Sequence, residues 1–261
     1  MKYIITLSCI ILLALTAAGS DVKAIEIAQQ ADSAYRAERY YDAIALYDSL
    51  MTVAGPSSAA CYNMGNCCYR VNRRGEALLW YERALKLDPT NAEARANVAF
   101  VRNKLPDVAV ADSNDVVSVG LDRFLNRFTT DGWAALCIAA FVLAMALAAC
   151  YLFSSTVWLR KVGFFAGLVA LVAAGVALTA ALAQARARTA RDAAIVIAPQ
   201  VNTSANPRPD APAAFSLNEG SKVHIIDSLR ADKAAGGKMW LLVTPDGDKQ
   251  GWVCADSVKV I

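Results

Sequence analysis

Between Trp133 and Ala185 the chain carries only two charged side chains, Arg160 and Lys161, side by side near the middle. The uncharged segments on either side are each long enough to cross a hydrocarbon core of roughly 30 Å, which takes about 20 residues as a helix. A pair of core helices in a soluble protein would show a polar face, and neither segment has one. The stretch predicts a transmembrane hairpin, with helices over 132–155 and 162–185 and a short cytoplasmic loop over 156–161. A hairpin forces whatever precedes it and whatever follows it onto one side of a membrane.

The two cations of the loop, with no acidic residue beside them, favour a cytoplasmic turn and soluble parts on the outer, periplasmic side. Arg186, Arg188 and Arg191 after the second span pull the other way. Gly163 and Gly167 form a GxxxG spacing, open to packing against another helix or within the hairpin. Neither span holds an acidic residue or a histidine, which argues against a transport or proton path.

Residues 1–20 read as a secretory signal peptide. Lys2 supplies the positive start, Tyr3 to Leu15 the apolar run, and Thr16 to Ser20 the small residues of a cleavage site.

Within a domain expected over 21–105, residues 24 to 105 repeat with a period of 34 residues. Ala31, Gly65 and Ala99 fall in register, as do Tyr35 with Tyr69, Ala43 with Ala77, and Tyr47 with Tyr81. The second unit ends Ala84-Leu85…Leu87-Asp88-Pro89, where proline stops the helix. This pattern resembles the tetratricopeptide repeat, in which small residues let paired helices approach and aromatics fill the gap. The resemblance implies an all-α stack with protein partners, closed by a capping half-repeat over Asn91 to Leu105. The first helix of each unit lines the inner face of such stacks. There one repeat position carries Gln29, Asn63 and Asn97, and another carries Arg36, Arg70 and Lys104. An amide and cation ladder of this kind suits a carboxylate or the backbone of an extended peptide; the competing reading is an ordinary solvated face.

Seven cysteines are scattered along the chain without CxxC spacing, so neither a disulfide framework nor a zinc site is expected. Cys61, Cys67 and Cys68 sit in the second repeat, either as small packing residues or as redox-sensing thiols. His224 is the single histidine, which removes most metal and acid–base constellations. The one catalytic pair on offer, His224 with Cys254, lacks a third orienting group, so no enzyme and no cofactor is expected. A net charge of +3 without a basic tract gives no reason to expect nucleic acid.

Residues 106–131 read as a polar linker followed by an amphipathic juxtamembrane segment. Leu121, Phe124, Leu125 and Phe128 form an apolar stripe suited to the membrane surface or to a helical extension of the first span.

From 193 to 261 short β-type runs alternate with turn signals. Strands are expected at Ala193–Ala198, Ala214–Leu217, Lys222–Asp227, Met239–Val243, Gly251–Val253 and Ser257–Ile261, with Pro199–Pro212 and Ser228–Lys238 as loops and Asp246-Gly247 as a hairpin turn. About five strands in so short a segment suggest a closed antiparallel barrel. The succession around Glu219-Gly220, Trp240 and Gly251-Trp252-Val253 is similar to bacterial SH3-like domains. That likeness implies a groove for proteins or peptidoglycan, to which Trp240 and Trp252 would contribute unless they serve as core.

The order of leader, repeats, hairpin and SH3-like domain, with Asn97–Arg102 closing the repeats and Phe215–Gly220 opening the barrel, resembles the BatE-like family of the Bat aerotolerance operon. The resemblance implies a membrane scaffold in a stress-resistance complex. Its partners would be von Willebrand factor A-domain membrane proteins and a MoxR-type ATPase. A cell-wall-binding envelope sensor is the alternative reading.

Overall fold

The computed structural model describes residues 22–105, 116–208, 211–230, 239–245 and 249–261. The expected signal peptide at 1–20, most of the linker, the 231–238 part of the second loop and the Asp246-Gly247 turn lie outside the described residues. The described residues form two compact units.

The first unit begins with five helices: α1 (22–36), α2 (Tyr40–Ala54), α3 (Ser58–Arg70), α4 (Arg74–Leu87) and α5 (Ala92–Arg102). They are two helix pairs and a capping helix. Ser57 and Asn91 start α3 and α5 by accepting the Ala60 and Ala94 amides, the N-cap bond that satisfies an otherwise orphaned donor. The turns inside the two pairs are copies of each other. Glu38 and Asn72, 34 residues apart, both take left-handed φ values of 59° and 63°. The amides of Arg39 and Arg73 reach back to Ala34 and Cys68 as in a Schellman motif. Gly65 is required by contact, since a Cβ there would stand 2.7 Å from the Tyr81 ring. Tyr47, Tyr81, Leu78, Leu79 and the small residues Ala31, Ala43 and Ala77 make the core.

The same unit continues, after the intervening helices, with seven strands: β1 (Ala193–Val196), β2 (Gln200–Ser204), β3 (Ala213–Asn218), β4 (Lys222–Arg230), β5 (Met239–Thr244), β6 (Gly251–Cys254) and β7 (Val258–Val260). They form one antiparallel sheet in the order β3-β2-β6-β5-β4-β1-β7. The expected closed barrel is not formed: among the described residues the two end strands, β3 and β7, do not pair. One strand, β2, lies outside the six expected ranges. β2 occupies the expected loop Pro199–Pro212, because its buried positions are hydroxyls rather than apolar side chains. Thr203 both donates to the Phe215 carbonyl at 2.8 Å and accepts its amide at 3.1 Å, and Ser204 donates to the Trp252 carbonyl. β4 runs on to Arg230, past the expected loop start at Ser228.

The second unit holds α6 (Val116–Leu125), α7 (Thr130–Phe153) and α8 (Val157–Thr189). α7 and α8 are each long and apolar enough to cross a membrane, with mean hydropathies of 2.5 and 2.3. Large apolar side chains along both, Phe141, Val142, Val169 and Val172 among them, are more than half exposed. The connection is only Ser154–Thr156, so Arg160 and Lys161, expected in a loop over 156–161, stand in the first turns of α8. Gly163 is spent inside the hairpin, where a Cβ would meet the Leu147 carbonyl at 2.8 Å. At the other end Trp133 packs between Phe124 and Phe128. Its indole N–H and the Gln184 amide both donate to the Leu125 carbonyl, at 2.9 and 2.6 Å, which answers the open C-terminus of α6.

Candidate functional site: the inner groove of the repeats

The first helices of the repeats carry two copies of one polar node. The Tyr81 hydroxyl donates to Asn66 Oδ1 at 2.7 Å, and the same oxygen accepts the Asn97 amide at 3.1 Å. One repeat earlier the Tyr47 hydroxyl donates to Asp32, with the Asn63 side chain against the same hydroxyl. Each node ties a second helix to the first helices of its own and the next repeat. Burial pushes both phenols above the ordinary tyrosine value, and the Asp32 carboxylate adds to this at Tyr47.

Above the second node lies a cavity of about 350 Å³ lined by Tyr35, Asn66, Tyr69, Arg70, Tyr81, Asn97, Phe100 and Val101. Tyr69 and Phe100 meet edge to face at 5.7 Å along it. Arg70 is exposed at its rim, 5.9 Å from the Tyr40 ring, and the Tyr35 hydroxyl beside it favours the charged guanidinium. Lys104 lies with its ammonium 5.7 Å from the Phe100 ring. The cavity offers an aromatic floor, an amide pair and one cation, Arg70, with Lys104 beside the Phe100 ring, elements that suit an extended, carbonyl-rich or carboxylate-bearing peptide.

Of the expected ladder, Arg70 and Asn97 therefore share one groove and Lys104 touches its wall. Asn63 belongs to the first polar node. Arg36 is exposed on α1. Gln29 lines a separate depression with Glu26, Gln30 and Asp42. Asn66 and Tyr35 line the groove without having been among the expected site residues. The 34-residue recurrence of Asp32 with Asn66 carried the signal for the node.

Trp240 and Trp252 stand on one face of the sheet, opposite the face whose Leu241, Val243 and Val253 make its core. Trp240 is buried and Trp252 half-buried. His224 is exposed and pairs in register with Thr244, while Cys254 pairs with Trp240, four residues away along β5, about 13 Å at strand spacing. The two do not form a catalytic pair. Cys61, Cys67 and Cys68 are buried, and burial pushes their thiols up to about 11, 12 and 12. This is the environment of packing residues, not of thiolate nucleophiles.

A second feature was not expected: the sheet is docked on the repeats. Ile195 of β1 is fully buried in the helical core with Leu78 and Leu79, while its neighbours Ala194 and Val196 face the sheet's own core. Glu82 of α4, 8% exposed, binds Arg102 of α5 at 2.7 Å and Lys222 of β4 at 3.1 Å. Glu219 accepts the Gly75 amide in the first turn of α4 at 2.6 Å. Arg83 and Lys86 donate to the carbonyls of Val260 and Ile261 at 2.6 and 2.8 Å, which fastens the end of β7. The sequence signal was the run Ala77 to Tyr81, apolar all round the helix as in an element covered on both sides.

The tetratricopeptide repeat family model matches residues 58–91, which is α3, α4 and the turn into α5. No curated protein matches the sequence.

Proposed function

We propose that the chain is a non-enzymatic, membrane-anchored scaffold whose helical repeats hold a protein partner in the Arg70–Asn97 groove. The observation that carries this is the groove itself: a helical-repeat inner face with aromatic, amide and cationic side chains converging on one cavity. The two exposed apolar helices supply the anchor, because apolar surface of that extent needs lipid around it. The docking of sheet on repeats supports a hairpin, since two parts that pack together must lie on one side of the bilayer. Arg160 and Lys161, in the first turns of α8 just past the connection, favour a cytoplasmic turn and a periplasmic soluble body in a bacterial inner membrane, against the opposing pull of Arg186, Arg188 and Arg191.

The order of modules supports placement near the BatE-like family, with the C-terminal sheet in the role of the SH3-like domain. On that reading the partners are von Willebrand factor A-domain membrane proteins and a MoxR-type ATPase in a stress-resistance complex. Purification of the tagged chain from solubilised membranes, with and without Arg70→Ala and Lys104→Ala, tests the groove. Partners that stay bound to the double variant at wild-type yield contradict it.

A further inference from the structure

The geometry points to a binding site for an anionic glycerophospholipid at the turn of the hairpin, an inference that rests on the membrane reading above. A cavity of about 360 Å³ opens there, lined by Tyr151, Val157, Arg160, Lys161, Phe164 and Phe165. Its two cations are exposed, and their only charge-related contact among the described residues is that of Arg160, 5.4 Å from the Tyr151 ring. Tyr151 packs on Phe164 at 5.8 Å, and Phe164 on Phe165 at 5.3 Å, so the wall behind the cations is aromatic.

The hairpin holds no counter-charge for this pair. No Asp or Glu occurs between Asp131 and Asp192, so the sequence on either side of these two adjacent cations supplies no counter-charge. The site is amphipathic in the same sense as a lipid. The guanidinium and ammonium take a phosphodiester, Arg160 by paired N–H donors and Lys161 as a point charge. Val157, Phe164 and Phe165, all more than half exposed, continue the surface along the helix toward the acyl region. Free phosphate has the same charge chemistry but no use for that wall, so the occupant is the lipid. An anionic headgroup carrying no compensating amine, as in phosphatidylglycerol, matches the charge; phosphatidylcholine does not.

The test is native mass spectrometry of the full chain in detergent micelles, titrated with phosphatidylglycerol, with phosphatidylcholine and with inorganic phosphate. The wild type retains phosphatidylglycerol in preference to phosphatidylcholine. The preference falls roughly 5-fold for Arg160→Gln or Lys161→Gln alone and about 30-fold for both together, the size expected for basic residues at an anionic surface. Tyr151→Leu, which keeps both cations, weakens retention less than either charge removal. Equal retention of the two lipids by the wild type, or an unchanged preference in the double variant, overturns the site. Displacement of the lipid by inorganic phosphate overturns the occupant. Alkaline extraction of membranes carrying the same variants separates the two levels: release of the wild-type chain refutes the membrane reading, whereas retention without lipid preference refutes only the site.

Discussion

The Gly75 amide and the Glu219 carboxylate, 144 residues apart in sequence, meet at 2.6 Å. One belongs to the opening turn of a repeat helix and the other to the turn between two strands. A carboxylate placed there satisfies an orphan N–H and faces the positive end of the helix dipole. Glycine is required for the approach, because a Cβ on Gly75 would lie 2.7 Å from Glu219 Cγ and 3.1 Å from the Val196 carbonyl oxygen. Glu219→Ala should cost about 1–2 kcal/mol, in the range of a lost cap. Gly75→Val should cost more, because the strand itself must move. Thermal unfolding of the detergent-solubilised chain gives both values, and an unchanged Tm for Glu219→Ala would refute the cap.

Glu82 offers the sharper perturbation. Its carboxylate stands between Arg102 and Lys222 with a side chain only 10% exposed. Glu82→Gln leaves two cations facing each other at a buried interface and should destabilise by about 2–4 kcal/mol. Lys222→Met, which keeps the shorter Arg102 pair and fills the same space, should cost less than half as much. Denaturant unfolding of the two variants checks the ordering.

Glu38 is the opposite case, a position where a substitution should help. It holds a left-handed φ of 59° that its repeat partner Asn72 tolerates better. Glu38→Gly should stabilise by about 1 kcal/mol by removing the Cβ penalty. Asn72→Gly should change little. A lower Tm for Glu38→Gly would show that the glutamate makes up its strain elsewhere.

The buried thiols set an alkaline limit. Unfolded, they ionise at the ordinary value of 9.0; folded, Cys61 holds its proton to about 11 and Cys67 and Cys68 to about 12. Folded values above unfolded ones give a contribution that is complete below the ordinary value and lost as pH rises through the folded ones. Stability should therefore fall between 9.0 and about 12, and Cys67→Ala with Cys68→Ala should flatten the decline. At neutral pH a thiol reagent should label these three residues only after unfolding. Fast labelling of the native chain would revive a redox role.

The hairpin and the repeat phase were legible because both rest on composition over long windows: missing charges in one case, a 34-residue period in the other. Arg70 and Asn97 were legible as inner-face positions for the same reason. What an inner-face amide does was not, since Asn63 and Asn97 look identical in the repeat whether they point at a ligand or at Tyr47 and Tyr81. β2 was hidden because Thr203 and Ser204 bury hydroxyls and break the apolar alternation that marks a strand. The open sheet was hidden because its β7 end is held by Arg83 and Lys86 of a helix more than 170 residues earlier. Local pattern carries no record of such a partner.

Repeats and sheet form one folded body despite the apolar helices between them. A protease site placed within residues 106–115 cuts the covalent link between the repeats and the rest of the chain. After cleavage in mild detergent, the repeat fragment should co-purify with a tag on the C-terminus, and Glu82→Lys should release it. Release of the wild-type fragment on cleavage would contradict the account, for it would mean that Glu219, Glu82 and Ile195 do not hold the two parts together.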